Sequence, residues 1–173
     1  MLDFSTLRFR KADRTYTQAI CDLVNLTYRG TTGWTTEATI IQGNRTNPQE
    51  IEAALSKSDA QFLIVQQHSQ LIACIYIARE HAHAFIGFFS VHPDWQKCGL
   101  GKYLLGYAET YAQNAMGIRK FIMFVISQRS ELIAFYQRRG YRLTGQVKSY
   151  PLYLGVPRID GLTIDYLEKI VTT

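Results

Sequence analysis

Hydrophobic positions recur along the chain with two periods, and the change between them separates strands from helices. Short apolar or alternating runs, typical of strands, occupy residues 7–10, 62–66, 71–78, 84–91, 120–126, 141–148 and 162–168. Spacings of three and four, typical of helices, occupy residues 16–28, 100–116 and 130–139, and Asn47-Pro48 opens a further helix. Residues 40–45 fit neither period. This order predicts an α/β protein with one mixed sheet, whose middle is an antiparallel meander.

Glycines mark where the helices end, and no linker interrupts the order. Gly30, Gly117 and Gly140 follow the helical stretches directly, as C-terminal capping residues do. The 173 residues contain no internal repeat or low-complexity segment. That length suffices to bury a sizeable core, so we expect a single domain over residues 1–173.

Composition narrows the class of protein. With 47% hydrophobic and 19% charged residues, the chain is typical of globular proteins. It has no apolar run of membrane-spanning length and no signal peptide, so we expect a cytoplasmic protein without a membrane partner. Cys21, Cys74 and Cys98 are widely spaced, which argues against a disulfide framework or a zinc knuckle. The net charge of +5 is scattered, which disfavours nucleic acid and suits a phosphorylated ligand.

One stretch carries candidate chemistry. Residues 91–102 read Val-His-Pro-Asp-Trp-Gln-Lys-Cys-Gly-Leu-Gly-Lys, between a predicted strand and a predicted helix. Gly99 and Gly101 let backbone N–H groups approach a ligand, and the helix start adds unpaired N–H groups and a positive dipole end. Such a loop binds phosphate or pyrophosphate, although the short pattern is also typical of a plain turn. It is not a P-loop, and Leu104 stands where a Rossmann loop has its third glycine.

Two motifs together resemble one family. Gln96, Gly99 and Gly101 form Gln-x-x-Gly-x-Gly, and residues 135–141 form Phe-Tyr-x-x-x-Gly-Tyr. Both are similar to signatures of the GNAT acetyltransferase superfamily. The resemblance implies a GNAT fold, with about seven strands in a mixed, mostly antiparallel sheet flanked by four helices. It also implies direct transfer of an acetyl group from acetyl-coenzyme A to a primary amine on a small molecule or peptide.

The resemblance further implies roles for particular residues. Tyr136 would be the general acid that protonates the departing thiolate, and the Val91 N–H would stabilise the developing oxyanion. Arg129 stands where many members carry Asn, so one pantetheine contact differs here. The cofactor-binding residues would be Phe89, Val91, Gln96, Lys97, Cys98, Gly99, Leu100, Gly101 and Lys102.

The general base is left open by the sequence. No acidic residue lies within residues 85–91, and the candidates are His83, Glu37 and bulk water. His81 and His83 share a strand face, but a third ligand is missing, so we expect no metal.

Three aromatic residues suggest an acceptor pocket. Tyr150, Tyr153 and Trp34 lie in predicted loops and would favour an apolar or aromatic amine, although a packed surface loop explains the tyrosines equally well. Two other classes of protein stay open. One is a coenzyme A-binding regulatory module without turnover, and the other is a basic nucleic-acid-binding domain. The oligomeric state, monomer or homodimer, is also open.

Overall fold

The computed structural model describes residues 3–172 and contains the elements that the sequence predicts, with small shifts at their ends. Four helices are present: α1 (Thr17–Arg29), α2 (Pro48–Leu55), α3 (Leu100–Met116) and α4 (Ser130–Gln137). The strands are β1 (Leu7–Lys11), β2 (Ile41–Gln42), β3 (Ala60–Gln67), β4 (Gln70–Glu80), β5 (His83–Val91), β6 (Lys120–Ile126), β7 (Arg142–Ser149), β8 (Val156–Pro157) and β9 (Thr163–Ile170).

Seven strands form the central sheet, in the order β1-β3-β4-β5-β6-β9-β7. All neighbours are antiparallel except β5 and β6, which are parallel. The mixed, mostly antiparallel sheet with four helices is therefore confirmed. A small second sheet pairs β2 with β8, in the stretch where the sequence fits neither period.

Local residues set the ends of the helices. Asn47 accepts a hydrogen bond from the Glu50 N–H and caps α2, with Pro48 in its first turn. Gly99 and Gly117 bracket α3 in left-handed conformations, with φ of 90° and 67°. Asp13 caps a one-turn 3-10 helix over residues 14–16, which leads into α1.

Both faces of the central strands are buried, because helices cover each side. α3 packs its apolar stripe, with Leu104 and Ala108, against a cluster that includes Ile75 of β4. α1 and α2 cover the other face, where Ile20 belongs to one cluster with Cys74. The side chains of consecutive β4 residues thus pack into the two clusters on opposite faces of the sheet, as the alternation of a strand requires. Among the described residues, no helix combines the length and apolar character needed to span a membrane.

The sheet opens between β5 and β6. These strands pair only at Ala84–Phe121 and Phe85–Ile122, and beyond this point they diverge. In the same region β5 has two residues opposite Ile75 of β4, a bulge in which Phe88 adopts φ of 48°. The burial of β6 alternates along most of its length, and its residues 123–126 border the opening.

Candidate active site

A cavity of about 390 Å³ lies between the carboxyl-terminal half of β5, the start of α3 and the helix α4. Its wall is partly aromatic and carries several cationic side chains. The lining residues are Thr27, Tyr28, Trp34, Thr35, Phe89, Ser90, Val91, Gln96, Lys97, Gly99, Gly101, Lys102, Arg129, Leu132, Phe135, Tyr136, Arg138 and Arg139. Seven of the nine predicted cofactor-binding residues belong to this wall.

The glycine loop directs backbone N–H groups toward this cavity. Lys97 and Gly99 adopt positive φ values of 62° and 90°, and the first N–H groups of α3 have no carbonyl partner within the helix. A Cβ on Gly101 would lie 3.7 Å from side-chain atoms of Phe89, Val91 and Phe135, which line the cavity. Any longer side chain at 101 would therefore extend into the space that a ligand needs.

The edge of β5 also faces the opening. The His92 N–H donates to Ile72 O at 2.8 Å, and Ser90 is paired with Cys74, so residues 90 and 92 point toward β4. Since successive N–H groups of a strand point to opposite sides, the Val91 N–H points to the open side. This is the direction that the predicted oxyanion contact requires.

Gln96 joins two parts of the cavity wall. Its Nε2 donates to Val91 O at 2.8 Å, and its Oε1 accepts a hydrogen bond from the Trp34 N–H. The side chain therefore fixes the loop after α1 against the end of β5. Gly33 is required beside it, since it has φ of 104° and a Cβ there would come within 2.9 Å of Gln96 Oε1.

Two predicted cofactor residues, Cys98 and Leu100, are absent from the cavity wall. The Cys98 Sγ–H donates to Trp95 O at 2.7 Å, and Leu100 is fully buried in the core. Neither side chain lines the cavity. Their position in the loop and at the start of α3 is what the predicted N–H contacts need.

Tyr136 lies in the last turn of α4, at the inner end of the cavity. Its ring packs against Phe89 and Tyr141, with centroid distances of 6.4 and 5.8 Å. Burial raises the pKa of the Tyr136 phenol well above its ordinary value, reinforced by Tyr28 and only partly opposed by Arg129. The phenol therefore keeps its proton at neutral pH, as a general acid must.

A second, narrower cavity of about 60 Å³ occupies the gap between β5 and β6. Its lining residues are Tyr28, Glu37, Arg45, Phe85, Ile86, Gly87, Phe88, Phe89, Met123, Phe124, Val125, Ile126, Arg129, Leu132, Tyr136, Tyr150 and Leu154. The two cavities meet at the five residues they share: Tyr28, Phe89, Arg129, Leu132 and Tyr136. Tyr136 thus borders both cavities.

Glu37 is buried in a bridge between two arginines. Its Oε2 accepts from Arg29 Nε at 2.9 Å, and its Oε1 accepts from Arg129 Nη1 at 3.1 Å. Arg29 also donates to Tyr150 Oη and to Leu154 O. Both carboxylate oxygens are thus engaged, and the bridge joins α1, the loop before β2, the start of α4 and the loop before β8. This geometry assigns Glu37 a positioning role and leaves its predicted role as base without support.

The structure does not bring His83 to the site. His83 opens β5 and pairs with Glu80, with 3.4 Å between Nε2 and Oε2. Six residues of strand separate it from Phe89, or about 20 Å at the usual rise. It lines neither cavity, so the structure gives no support to its predicted role as base. Among residues 3–172, no three His, Cys, Asp or Glu side chains form a group able to hold a metal.

The three candidate acceptor-site aromatics are divided among different places. Trp34 lines the larger cavity and packs on Phe135, with 5.9 Å between ring centroids. Tyr150 lines the smaller cavity, whereas Tyr153 is 82% exposed and lines neither. Arg45, which the sequence reasoning missed, lines the smaller cavity and belongs to no motif that could have identified it.

Comparisons with known proteins agree with this fold. The profile of the acetyltransferase (GNAT) family matches residues 19–141. The chain belongs to this family, and it is an acyltransferase. No curated protein matches the sequence closely enough to count as a relative.

Solved structures share the fold at low sequence identity. An N-acetyltransferase from Thermoplasma acidophilum, PaiA, in complex with coenzyme A, is 18% identical with a TM-score of 0.75 and covers 95% of this chain and 99% of its own. An N-acetyltransferase from Staphylococcus aureus is 14% identical with a TM-score of 0.73, covering 96% and 98%. A spermidine/spermine N-acetyltransferase from Vibrio cholerae, in complex with manganese ions, is 17% identical with a TM-score of 0.68, covering 96% and 93%.

Proposed function

We propose that this protein transfers an acetyl group from acetyl-coenzyme A directly to a primary amine on a small molecule or peptide. One observation carries the proposal: the larger cavity, called the groove from here on, and the smaller cavity both border the buried ring of Tyr136. The groove suits a phosphorylated ligand. Acetyl-coenzyme A would enter from the groove, and the amine from the gap between β5 and β6.

The groove residues fit acetyl-coenzyme A. The start of α3 offers unpaired N–H groups to the pyrophosphate, and Lys97, Lys102, Arg138 and Arg139 supply positive charge nearby. Gly101 leaves the approach free of a side chain. When bound, acetyl-coenzyme A supplies a thioester whose acyl carbon accepts the amine.

The reaction needs few groups from the protein. The amine nitrogen forms a bond to the acyl carbon while the bond from that carbon to sulfur breaks. The Val91 N–H stabilises the negative charge that develops on the acyl oxygen, and Tyr136 gives its proton to the departing thiolate. The ammonium first loses one proton to water, because Glu37 is engaged by two arginines and His83 lines neither cavity. After the attack the nitrogen loses a second proton, which passes through water to Tyr136 and replaces the one given to the thiolate.

The setting follows from the same proposal. We assign the whole chain, residues 1–173, to one catalytic domain, because both cavities draw on segments from Thr27 to Leu154. Three free cysteine thiols and the use of acetyl-coenzyme A suit the cytoplasm. The chain would act as a monomer or homodimer.

Two measurements test the proposal. Isothermal titration with acetyl-coenzyme A should give saturable binding, and thiol release with a panel of amines should give products heavier by one acetyl group in mass spectrometry. Binding without thiol release for any amine would instead indicate a coenzyme A-binding module. Absence of binding would refute the proposal.

A further inference from the structure

We propose that the acceptor is a compact primary amine that carries a carboxylate, such as a small amino acid, and that Arg45 binds this carboxylate. The inference rests on the proposed function, because it assigns the smaller cavity to the acceptor. It depends on the charges, the hydrogen bonds and the size of that cavity.

Arg45 is held as a ready anion receptor. Its guanidinium carbon lies 4.9 Å from the Phe88 ring centroid and 5.6 Å from that of Tyr28, and its side chain is only 12% exposed. Nη1 faces Glu50 Oε1 at 3.4 Å. Nε and Nη2 have no hydrogen-bond partner among residues 3–172. A guanidinium stacked on aromatic rings with free N–H groups is suited to bind a carboxylate through two hydrogen bonds.

The balance of charge in the cavity favours an anionic group on the acceptor. Its described wall contains two guanidiniums, of Arg45 and Arg129, and one carboxylate, of Glu37. Glu37 is already neutralised by Arg29 and Arg129, and the Arg129 Nε is buried without a hydrogen-bond partner. The carboxylate of the wall is thus not free to bind a second ammonium group. Glu50 and Glu131, which pair with Arg45 at 3.4 Å and with Arg129 at 3.9 Å, lie outside the wall, so a polyamine would find no unpaired carboxylate in it.

The position of Arg45 sets the distance between the two ends of the acceptor. Tyr136 and Phe89, at the junction with the larger cavity, lie where the amine must react, whereas Arg45 lies against the rings of Phe88 and Tyr28. The cavity of about 60 Å³ has room for about four to six groups the size of water. A small α- or β-amino acid fits this volume, with its amine toward Tyr136 and its carboxylate toward Arg45.

The test compares amino acids with the amines that they give on loss of the carboxylate. The matched pairs are glycine with methylamine, alanine with ethylamine and valine with isobutylamine, and spermidine is added as a polycation. Thiol release gives kcat/KM for each compound. We expect the amino acid to be preferred in the wild type, and spermidine to be the poorest substrate.

The arginine variant removes an ambiguity in that preference. Amino acids and simple amines differ in basicity, which alone alters their rates, so the decisive quantity is the ratio within each pair. In Arg45→Gln the ratio of amino acid to amine should fall at least about tenfold, since hydrogen bonds to a charged group are lost. Arg45→Lys should give an intermediate ratio. Arg8→Gln, which removes an exposed arginine on the distant strand β1, should leave the ratio unchanged.

A binding measurement keeps the inference separate from the proposed reaction. Isothermal titration of alanine and ethylamine into the protein with coenzyme A requires no turnover, and alanine should bind more tightly to the wild type than to Arg45→Gln. Turnover of amines with equal ratios in wild type and Arg45→Gln would overturn this inference and leave the proposed function intact. Failure of every amino acid both to react and to bind would overturn it as well.

Discussion

Removal of the Glu37 carboxylate should destabilise the fold strongly, because it is the counter-ion that two buried guanidiniums share. Arg129 would keep only Glu131, with 3.9 Å between Nε and Oε1. The side chain of Glu37 is 7% exposed, and those of Arg29 and Arg129 are 5% and 8% exposed. Glu37→Gln keeps the shape of the side chain. Its amide oxygen can still accept from one arginine, but its amide N–H₂ group then faces the other.

The expected loss can be estimated from the degree of burial. Breaking a buried ion pair by removing one partner costs about 3–5 kcal/mol, most of it from the charge left behind. The free energy of unfolding of an ordinary domain is about 5–15 kcal/mol, so the variant should stay folded in water but with a small margin of stability. The four segments that the bridge joins, including the loop containing Tyr150, should loosen together.

Urea unfolding of Glu37→Gln and of a matched control measures this effect. Glu52 pairs with Arg14 at 3.9 Å, but their side chains are 56% and 69% exposed. Glu52→Gln should therefore change the free energy of unfolding by less than about 1 kcal/mol. If Glu37→Gln were as stable as the wild type while its kcat fell by about a hundredfold or more, Glu37 would be a catalytic base and the positioning role would be refuted.

Three further outcomes are expected. In isothermal titration, Gly101→Glu should weaken acetyl-coenzyme A binding at least about tenfold. Gly106→Glu, on an exposed turn of the same helix, should not weaken it. Equal affinities of the two variants would show that the groove is not the cofactor site. Tyr136→Phe should lower kcat by about a hundred- to ten-thousandfold with little change in cofactor affinity, and an unaltered kcat would leave Tyr136 a packing residue. Burial raises the pKa of Tyr136, so the stability that its protonated phenol contributes is complete below about pH 10 and is lost above it. Above about pH 10 the free energy of unfolding of the wild type should therefore fall more steeply than that of Tyr136→Phe. Parallel declines would contradict this.

Local signals explain which elements could be predicted from the sequence. The bounds of α3 and β6 agree with prediction to the residue, because Gly99 and Gly117 bracket the helix and an apolar run defines the strand. The glycine loop likewise occupies the predicted junction of strand and helix. These features depend on residues close together in the chain, where conformational preference and periodicity act directly.

The acceptor side could not be predicted, since its geometry depends on long-range contacts. Glu37 lies 92 residues from Arg129, and only the folded chain reveals that its carboxylate is already paired. His83 shares a strand with Phe89, but its distance follows from the strand's length and direction. Arg45 carries no motif, and its place beside Phe88 depends on the bulge in β5.

The small sheet of β2 and β8 has a consequence for how substrate choice could evolve. Pairing of Ile41 with Pro157 ties the segment that leads to Arg45 to the segment that contains Tyr150 and Leu154. Gly155 passes so close to Ile41 that a Cβ would come within 2.6 Å of its Cγ2. A chimera that takes only one of these segments from another enzyme would break their pairing. Exchange of both as a cassette would change the acceptor wall and leave the glycine loop intact.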